Sequence, residues 1–224
     1  MQIMDNGQFC FIICYNNTVF LAECLTYIKQ LTIPDGFTID VITIAEAGSM
    51  ASGYQAGMEA STAKYKIYLH QDVFILNKNF LHDTLQIFKQ SPSLGMLGMV
   101  GTKKLPESAI MWESKNRIGA LRSCSLNTTD DYFDIPIENT AYELATAVDG
   151  LLIMTQYDIG WREDIFDSWD FYDVSQSFEF KRAGYDIAVP YQKVPWVLHD
   201  CGFLNLKNYY SARDKFIKEY AGEF

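Results

Sequence analysis

Apolar residues in the first part of the chain form short runs that alternate with helical spacings. Residues 9–15 are an apolar run of strand length that ends at two asparagines, Asn16 and Asn17. Apolar residues at helical spacing follow, and Asn17 or Thr18 suits the N-cap position of that helix. The same patterns predict strands at 37–45, 65–71 and 94–100 and a helix at 79–90.

This order of strands and helices predicts parallel strands joined by right-handed crossovers, as in half of a doubly wound α/β sheet. Residues 49–60 are rich in small side chains and predict a loop that leads into a helix. No GxGxxG motif follows the first strand and no GxxxxGK[ST] motif occurs, which disfavours a dinucleotide fingerprint and a P-loop.

Hydrophobic periodicity fades between residues 102 and 141, which predicts a long loop of the kind that is usually functional or mobile. Beyond it, the pattern predicts strands at 147–155, 186–191 and 194–198. A helix is predicted at 171–183, ended by Gly184. The tail, 204–220, is amphipathic. We find no internal repeat or linker, so residues 1–224 are predicted to be a single domain.

Composition limits the function classes. The chain has 224 residues, of which 49% are hydrophobic and 21% charged, as in soluble globular proteins with a sizeable core. No apolar run is long enough to predict a transmembrane segment, and the first residues lack a signal-peptide pattern, so we expect a cytoplasmic protein. The net charge of −10 disfavours nucleic-acid partners and indicates that a cation mediates any contact with an anionic ligand.

The cysteines do not form a metal or disulfide pattern. There are five, an odd number, and none is in a CxxC pair. Cys10 and Cys14 fall in the first predicted strand and Cys24 on the apolar face of the first helix. We therefore expect buried free thiols.

A carboxylate stands where the third predicted strand ends. The apolar run stops at His70, Gln71 and Asp72 and resumes at Val73. Ligands of open α/β sheets bind at the carboxyl ends of the strands, so Asp72 is a candidate contact for a metal or a diphosphate. The structural alternative is that Asp72 caps a turn or helix.

A set of motifs, in order along the chain, resembles a known family. The motifs are Phe11-Ile12-Ile13-Cys14-Tyr15-Asn16-Asn17, Ser52-Gly53-Tyr54-Gln55-Ala56-Gly57, Leu69-His70-Gln71-Asp72-Val73, Val148-Asp149-Gly150, Phe171-Tyr172-Asp173-Val174, Arg182-Ala183-Gly184-Tyr185 and His199 with Cys201-Gly202. The chain resembles family 2-type glycosyltransferases of the GT-A fold, in particular the StrF-like group of streptomycin biosynthesis.

The resemblance implies an α/β GT-A fold with a mixed, mostly parallel sheet flanked by helices. Residues 1–101 would form the nucleotide-binding half, and residues 102–224 the acceptor-side half with the C-terminal tail. It implies an inverting transferase that moves a sugar from a nucleotide-diphosphate donor, UDP or another nucleotide, to a hydroxyl acceptor. A divalent cation, Mn or Mg, would assist, with Asp72 and His199 as metal contacts and Asp173 as the catalytic general base.

The resemblance also indicates the nucleotide-sugar-binding residues. We predict Tyr15, Glu46, Ser52, Gly53, Gln71, Asp72, Asp149 and Gly150 for this role. The small residues of 48–57 would let a ligand approach the backbone closely, although tight helix-to-sheet packing explains them equally well.

Two positions depart from the family pattern. His70 replaces the first Asp of the usual Asp-x-Asp metal motif, and Glu46 stands near the position of the Asp that reads the nucleobase. Other roles have structural alternatives. Asp170 and Asp173 have the spacing of a capping box, His199 suits a structural histidine, and Asp149-Gly150 suits a turn.

Two other functions compete with sugar transfer. A protein of this fold could bind a nucleotide sugar without turnover, and His70 favours that alternative. A nucleotidyltransferase of related fold is less favoured, because that class has a basic, glycine-rich loop after the first strand. Here residues 15–18 are Tyr-Asn-Asn-Thr, and the first basic residue is Lys29.

Overall fold

The computed structural model describes residues 4–133, 140–202 and 205–224. The strands are β1 Asp5–Tyr15, β2 Thr38–Ala45, β3 Ala63–His70, β4 Val73–Ile75, β5 Leu94–Gly98, β6 Val100–Thr102, β7 Arg117–Cys124, β8 Thr128–Tyr132, β9 Tyr142–Leu144, β10 Ala147–Val148, β11 Leu152–Thr155, β12 Asp186–Pro190 and β13 Val197–His199. The helices are α1 Thr18–Ile28, α2 Met50–Ala60, α3 Phe80–Gln90, α4 Tyr172–Arg182 and α5 Tyr209–Glu219, and a 3₁₀ turn covers Met111–Glu113.

The main sheet has seven strands in the order β2-β1-β3-β11-β5-β12-β9. Strand β1 pairs in parallel with both β2 and β3, as the βαβαβ pattern predicts. Strand β11 lies antiparallel between β3 and β5, and β9 is antiparallel to β12, while β12 is parallel to β5. The prediction of a mixed, mostly parallel sheet flanked by helices is therefore confirmed.

Alternating side chains of β1 enter two different hydrophobic cores. Phe9, Phe11 and Ile13 pack with residues of α1 and α3, whereas Cys10, Ile12 and Cys14 pack with residues of α2, α4 and α5. This follows from the period-two geometry of a strand that is covered on both faces, where both sets of side chains are apolar.

A second sheet has the order β10-β6-β7-β13-β4, with β8 paired to β7. The prediction of a loop over 102–141 was wrong for the part that forms this sheet, and residues 134–139 lie outside the described residues. Strand β7 carries no long apolar run; it is held by pairing with its hairpin neighbour β8, with β6, and with β13, which is distant in sequence.

Two predicted strands are each divided between the sheets. The run 94–100 splits into β5 and β6 around Met99. The run 147–155 splits into β10 and β11, with residues 149–151 between them. Periodicity did not show this, because both sides of each break are equally apolar and buried.

The first two helices have well-defined N-caps. The Asn17 side chain accepts hydrogen bonds from the backbone N–H groups of Val19 and Phe20, as predicted. Helix α2 begins earlier than expected, because Ser49 and Ser52 form a reciprocal capping box. Position 204, where the amphipathic tail was predicted to begin, lies outside the described residues, and α5 begins at Tyr209.

Among the described residues, none of the helices has both the length and the apolar character needed to cross a bilayer. All five cysteines are free thiols, and Cys10, Cys14 and Cys24 are buried as predicted.

Candidate active site

Strand pairing brings three side chains together from distant segments. Strands β4 and β13 are antiparallel, with His199 opposite Val73, and the Asp200 N–H donates to the Asp72 carbonyl at 2.9 Å. The His199 Nε2 atom lies 3.6 Å from Asp72 Oδ1, and His70 Nδ1 lies 4.0 Å from the same oxygen. One potential ligand atom from each residue lies within 4.8 Å of the others, so the three could hold a metal ion.

The donor set of this triad is two imidazole nitrogens and one carboxylate oxygen. Imidazole suits transition ions such as Mn²⁺ better than Mg²⁺, which prefers oxygen ligands. Burial, together with the neighbouring His199, lowers the pKa of His70 to about 4. His70 is therefore neutral at pH 7, so an ion would not have to displace a proton from it. The residue that departs from the sequence motif thus lies within the cluster.

Tyr172, the first residue of α4, fixes the orientation of His70. The Tyr172 hydroxyl and His70 Nε2 are 2.5 Å apart, which leaves Nδ1 facing Asp72. The backbone N–H of His70 donates to the Leu151 carbonyl at 3.1 Å, which holds the end of β3 in place. A Cβ atom at Gly150 would collide with the Tyr172 hydroxyl, so the glycine makes room for this contact.

Asp173 lies next to another acid. Burial and the nearby Asp149 carboxylate raise the pKa of Asp173 to about 7. The Gly150 N–H donates to Asp173 Oδ2 at 2.8 Å and partly offsets that rise. Asp149 accepts hydrogen bonds from the Leu151 N–H at 2.9 Å and from Trp112 Nε1 at 3.0 Å. The Asp149 and Asp173 carboxylates are therefore both positioned by backbone N–H groups of the segment between β10 and β11.

The capping-box alternative for Asp170 and Asp173 was wrong. Helix α4 has Phe171 as its N-cap, in the left-handed region at φ 61°, and no side-chain cap hydrogen bond is made within the described residues. Asp173 accepts from Gly150 instead. The Asp173 carboxyl group therefore makes a hydrogen bond outside helix α4.

Two adjoining cavities open at these groups. The larger, of about 550 Å³, is lined by Asp149, Gly150 and Asp173, and the smaller, of about 150 Å³, is lined by Tyr15, Gln71 and Asp72. His70 and Trp169 line both cavities, and His199 lines the larger one. The triad therefore lies at the junction of the two cavities.

Gln71 shapes the wall of the smaller cavity. Its side-chain oxygen accepts from the N–H groups of Asn16 and Asn17 at 3.0 and 2.8 Å, and its amide donates to Asn16 Oδ1 at 2.7 Å. The loop after β1 is thereby tied to the end of β3, and Tyr15 is held beside the triad.

Three of the predicted nucleotide-sugar contacts lie elsewhere. Ser52 takes part in the α2 capping box, and a Cβ at Gly53 would collide with the Cys14 sulfur, so both have a packing role. Glu46 follows β2 with φ 54° and an exposed side chain. Within the described residues, neither cavity has Ser52, Gly53 or Glu46 in its lining.

Sequence reasoning missed several residues that line the site. Tyr172 was not singled out, although it neighbours Asp173. Trp112 and Trp169 line the larger cavity with 39% and 47% of their surfaces exposed, whereas Trp161 is buried. Asp170 was considered only as a cap. Their positions depend on loops, which periodicity does not describe.

Comparison with solved structures defines the class of fold. S. aureus TarS 1–349 in complex with UDP-GlcNAc superposes with a TM-score of 0.57 at 11% identity, covering 97% of this chain and 68% of that one. The mannosyltransferase PcManGT from Pyrobaculum calidifontis, in complex with GDP-Man and Mn²⁺, gives 0.56 at 11% identity, with 95% and 61% coverage. The catalytic domain of Drosophila β1,4-galactosyltransferase 7, in complex with xylobiose, gives 0.55 at 12% identity, with 89% and 72% coverage. The fold is that of GT-A glycosyltransferases.

Residues 10–220 match the family described as "Glycosyltransferase like family", so the chain belongs to that family. No curated protein sequence matches the chain. The chain spans 66% of TarS 1–349 and 40% of the longer TarS structure.

Proposed function

We propose that this protein transfers a sugar from a nucleotide-diphosphate donor to a hydroxyl acceptor, with inversion at the anomeric carbon and with the help of a divalent cation. One observation carries the proposal. The triad of His70, Asp72 and His199 lies at the junction of two cavities, and Asp173, whose pKa is raised to about 7, faces the larger of them.

The smaller cavity suits the nucleotide side of the donor. Tyr15 and Gln71 line it beside Asp72. A divalent ion held by the triad would neutralise charge that develops on the departing diphosphate. Mn²⁺ fits the two imidazoles better than Mg²⁺ does. Three structures of similar fold contain UDP, UDP-GlcNAc, and GDP-Man with Mn²⁺, which supports this assignment.

Asp173 is the proposed general base. It takes the proton of the acceptor hydroxyl as the acceptor oxygen bonds to the anomeric carbon and the bond from that carbon to the diphosphate oxygen breaks. A carboxyl group with a pKa near 7 is a better base than an ordinary one and is still substantially ionised at neutral pH. Direct attack with one base gives inversion.

Two finer assignments belong to the same proposal. The ordered motifs, from Phe11-Ile12 to Cys201-Gly202, support membership of the StrF-like group. The five free thiols favour a reducing compartment, which supports a cytoplasmic location.

The first experiment is a donor screen by thermal unfolding, with and without Mn²⁺, on the wild type and on Asp72→Ala. A donor that binds only the folded protein raises its melting temperature. We expect at least one nucleotide sugar to do so in an Mn²⁺-dependent way, and Asp72→Ala to lose the effect because the triad loses its only carboxylate. Glu23→Ala, at an exposed position of α1, is the matched control.

The outcomes separate the functions. An equal donor shift in wild type and Asp72→Ala, with or without Mn²⁺, would remove the metal assignment. A donor that binds but is neither hydrolysed nor transferred would favour the non-catalytic nucleotide-sugar-binding alternative.

A further inference from the structure

The larger cavity is strongly acidic. Five carboxylates line it, and no Lys or Arg does so among the described residues. The carboxylates belong to Glu113, Asp131, Asp149, Asp170 and Asp173. Residues 134–139 and 203–204, outside the described part, contain no Lys or Arg in their sequence. A cation held by the triad would be bound to the donor diphosphate. The lining of the larger cavity therefore offers an acceptor no positive charge.

Each of the three arginines near this region in sequence contacts another side chain. The Arg117 guanidinium lies 4.8 Å from the centre of the Phe133 ring. Arg122 makes two hydrogen bonds to Asp130, and Arg213 Nη2 lies 3.4 Å from Asp214 Oδ1. None of the three lines the cavity. An acceptor with phosphate or carboxylate groups would therefore meet like charge with little compensation.

Asp170 differs from the other acids of the cavity. Asp131 accepts from Ser123 Oγ at 2.6 Å, and Asp149 and Asp173 accept from the groups described above. Asp170 is half-buried, and among the described residues it has no hydrogen bond or ion pair; burial raises its pKa. A partly desolvated carboxylate without a donor gains most from a cationic ligand.

Exposed aromatic rings border the same cavity. Tyr210 is 56% exposed, and Trp169, the residue next to Asp170, is 47% exposed. Trp112 lies beside Asp149, to which its indole N–H donates. Aromatic faces bind the apolar faces of sugar rings and attract ammonium groups. The cavity therefore combines surfaces for a sugar ring with unneutralised negative charge.

Resting on the proposed transferase function, we infer that the acceptor is an amino sugar or an aminated glycan, whose ammonium group is bound by Asp170 in the larger cavity. The acceptor hydroxyl would then face Asp173, and the acceptor rings would contact Trp169 and Tyr210. A phosphorylated or uronic-acid acceptor is disfavoured by the same charges.

The test uses three tetrasaccharides of equal length and different charge: the β1,4-linked glucosamine tetramer, its fully N-acetylated form and the tetragalacturonate. Binding to the whole protein is measured by tryptophan fluorescence, which Trp112 and Trp169 report, with Mn²⁺ present. We expect the cationic tetramer to bind about tenfold more tightly than the neutral one, the scale of one charge-assisted hydrogen bond. Binding of the anionic tetramer is expected to be undetectable.

Asp170→Asn keeps the shape of the side chain and removes its charge, and it should abolish the preference for the cationic over the neutral tetramer. Asp35→Asn, in an exposed turn remote from the cavity, should leave the preference unchanged. Equal affinities for the cationic and neutral tetramers, tighter anionic binding, or a preference that survives Asp170→Asn would each overturn the inference.

Donor binding is measured separately on the same protein samples. Mn²⁺-dependent donor binding without a cationic preference would defeat the inference about the acceptor and leave sugar transfer standing. Loss of donor binding, by contrast, concerns the transferase proposal itself.

Discussion

The two cavities of the site are built in different ways. The walls of the smaller one come mainly from the ends of β1 and β3 and the residues that directly follow them, whose positions are fixed by backbone pairing. The walls of the larger one come mainly from loops and helix starts, including 110–113, 169–171 and 205–210. The triad of His70, Asp72 and His199 therefore lies at strand ends, while the loop-built walls of the larger cavity can vary without disturbing it.

Substitution of Asp173, which faces the loop-built side, is the sharpest test of this division. Asp173→Asn should lower the transfer rate by about 10²- to 10⁴-fold, because the acceptor proton loses its base. Donor affinity, determined by the strand-built side, should be unchanged. The test measures kcat and the donor Kd separately for the wild type and the variant. The control is Asp167→Asn, at an exposed position paired with Lys215. A near-normal rate in Asp173→Asn would remove this residue as the base.

Tyr172 links the two sides, since it belongs to α4 and contacts His70. Tyr172→Phe removes only the hydroxyl and should weaken Mn²⁺ affinity by about 10- to 100-fold, the cost typical of losing a partner that orients a metal-binding histidine. Calorimetric titration of Mn²⁺ without donor measures this. Tyr209→Phe, which removes another hydroxyl from the lining of the larger cavity, is the control. Unaltered Mn²⁺ affinity would mean that His70 is oriented without the tyrosine or does not bind the ion.

The smallest expected effect is a shift in pH dependence. A base works when deprotonated, so the transfer rate should rise with pH through about 7, the pKa of Asp173. Asp149→Asn removes the neighbouring like charge, which lowers that pKa and moves the rising limb to lower pH.

The pH profile of kcat/KM for the wild type and Asp149→Asn measures the shift, with Glu107→Gln, an exposed change, as the control. A limb that stays in place would mean that another group controls the rate.

How far the sequence predicts the molecule follows the same division. Residues 9–100 carry clear periods, and the predicted β1, α1, β2 and α3 agree with the structure because each element buries its own pattern. The sequence also indicated Asp72 and His199, which lie 3.6 Å apart in the structure. Their roles in binding a metal and a donor remain predictions.

The rest depends on pairing between distant segments. Strand β7 pairs with β6 and with the distant β13 as well as with its hairpin neighbour β8, and the break at Asp149-Gly150 is defined by the change of sheet between β10 and β11. His70 counted as a departure from a motif until His199 and Tyr172 were seen on either side of it. Local patterns do not encode such contacts.

The close approach of the Tyr172 hydroxyl to Gly150 makes the two positions mutually dependent. The backbone at Gly150 is not in the left-handed region, so an alanine there is excluded by the phenol and not by its own torsion angles. A methyl group at 150 would displace the ring from the imidazole, and trimming position 172 would make room for that methyl again. Substitutions at these two sites should therefore be non-additive, each partly compensating for the other.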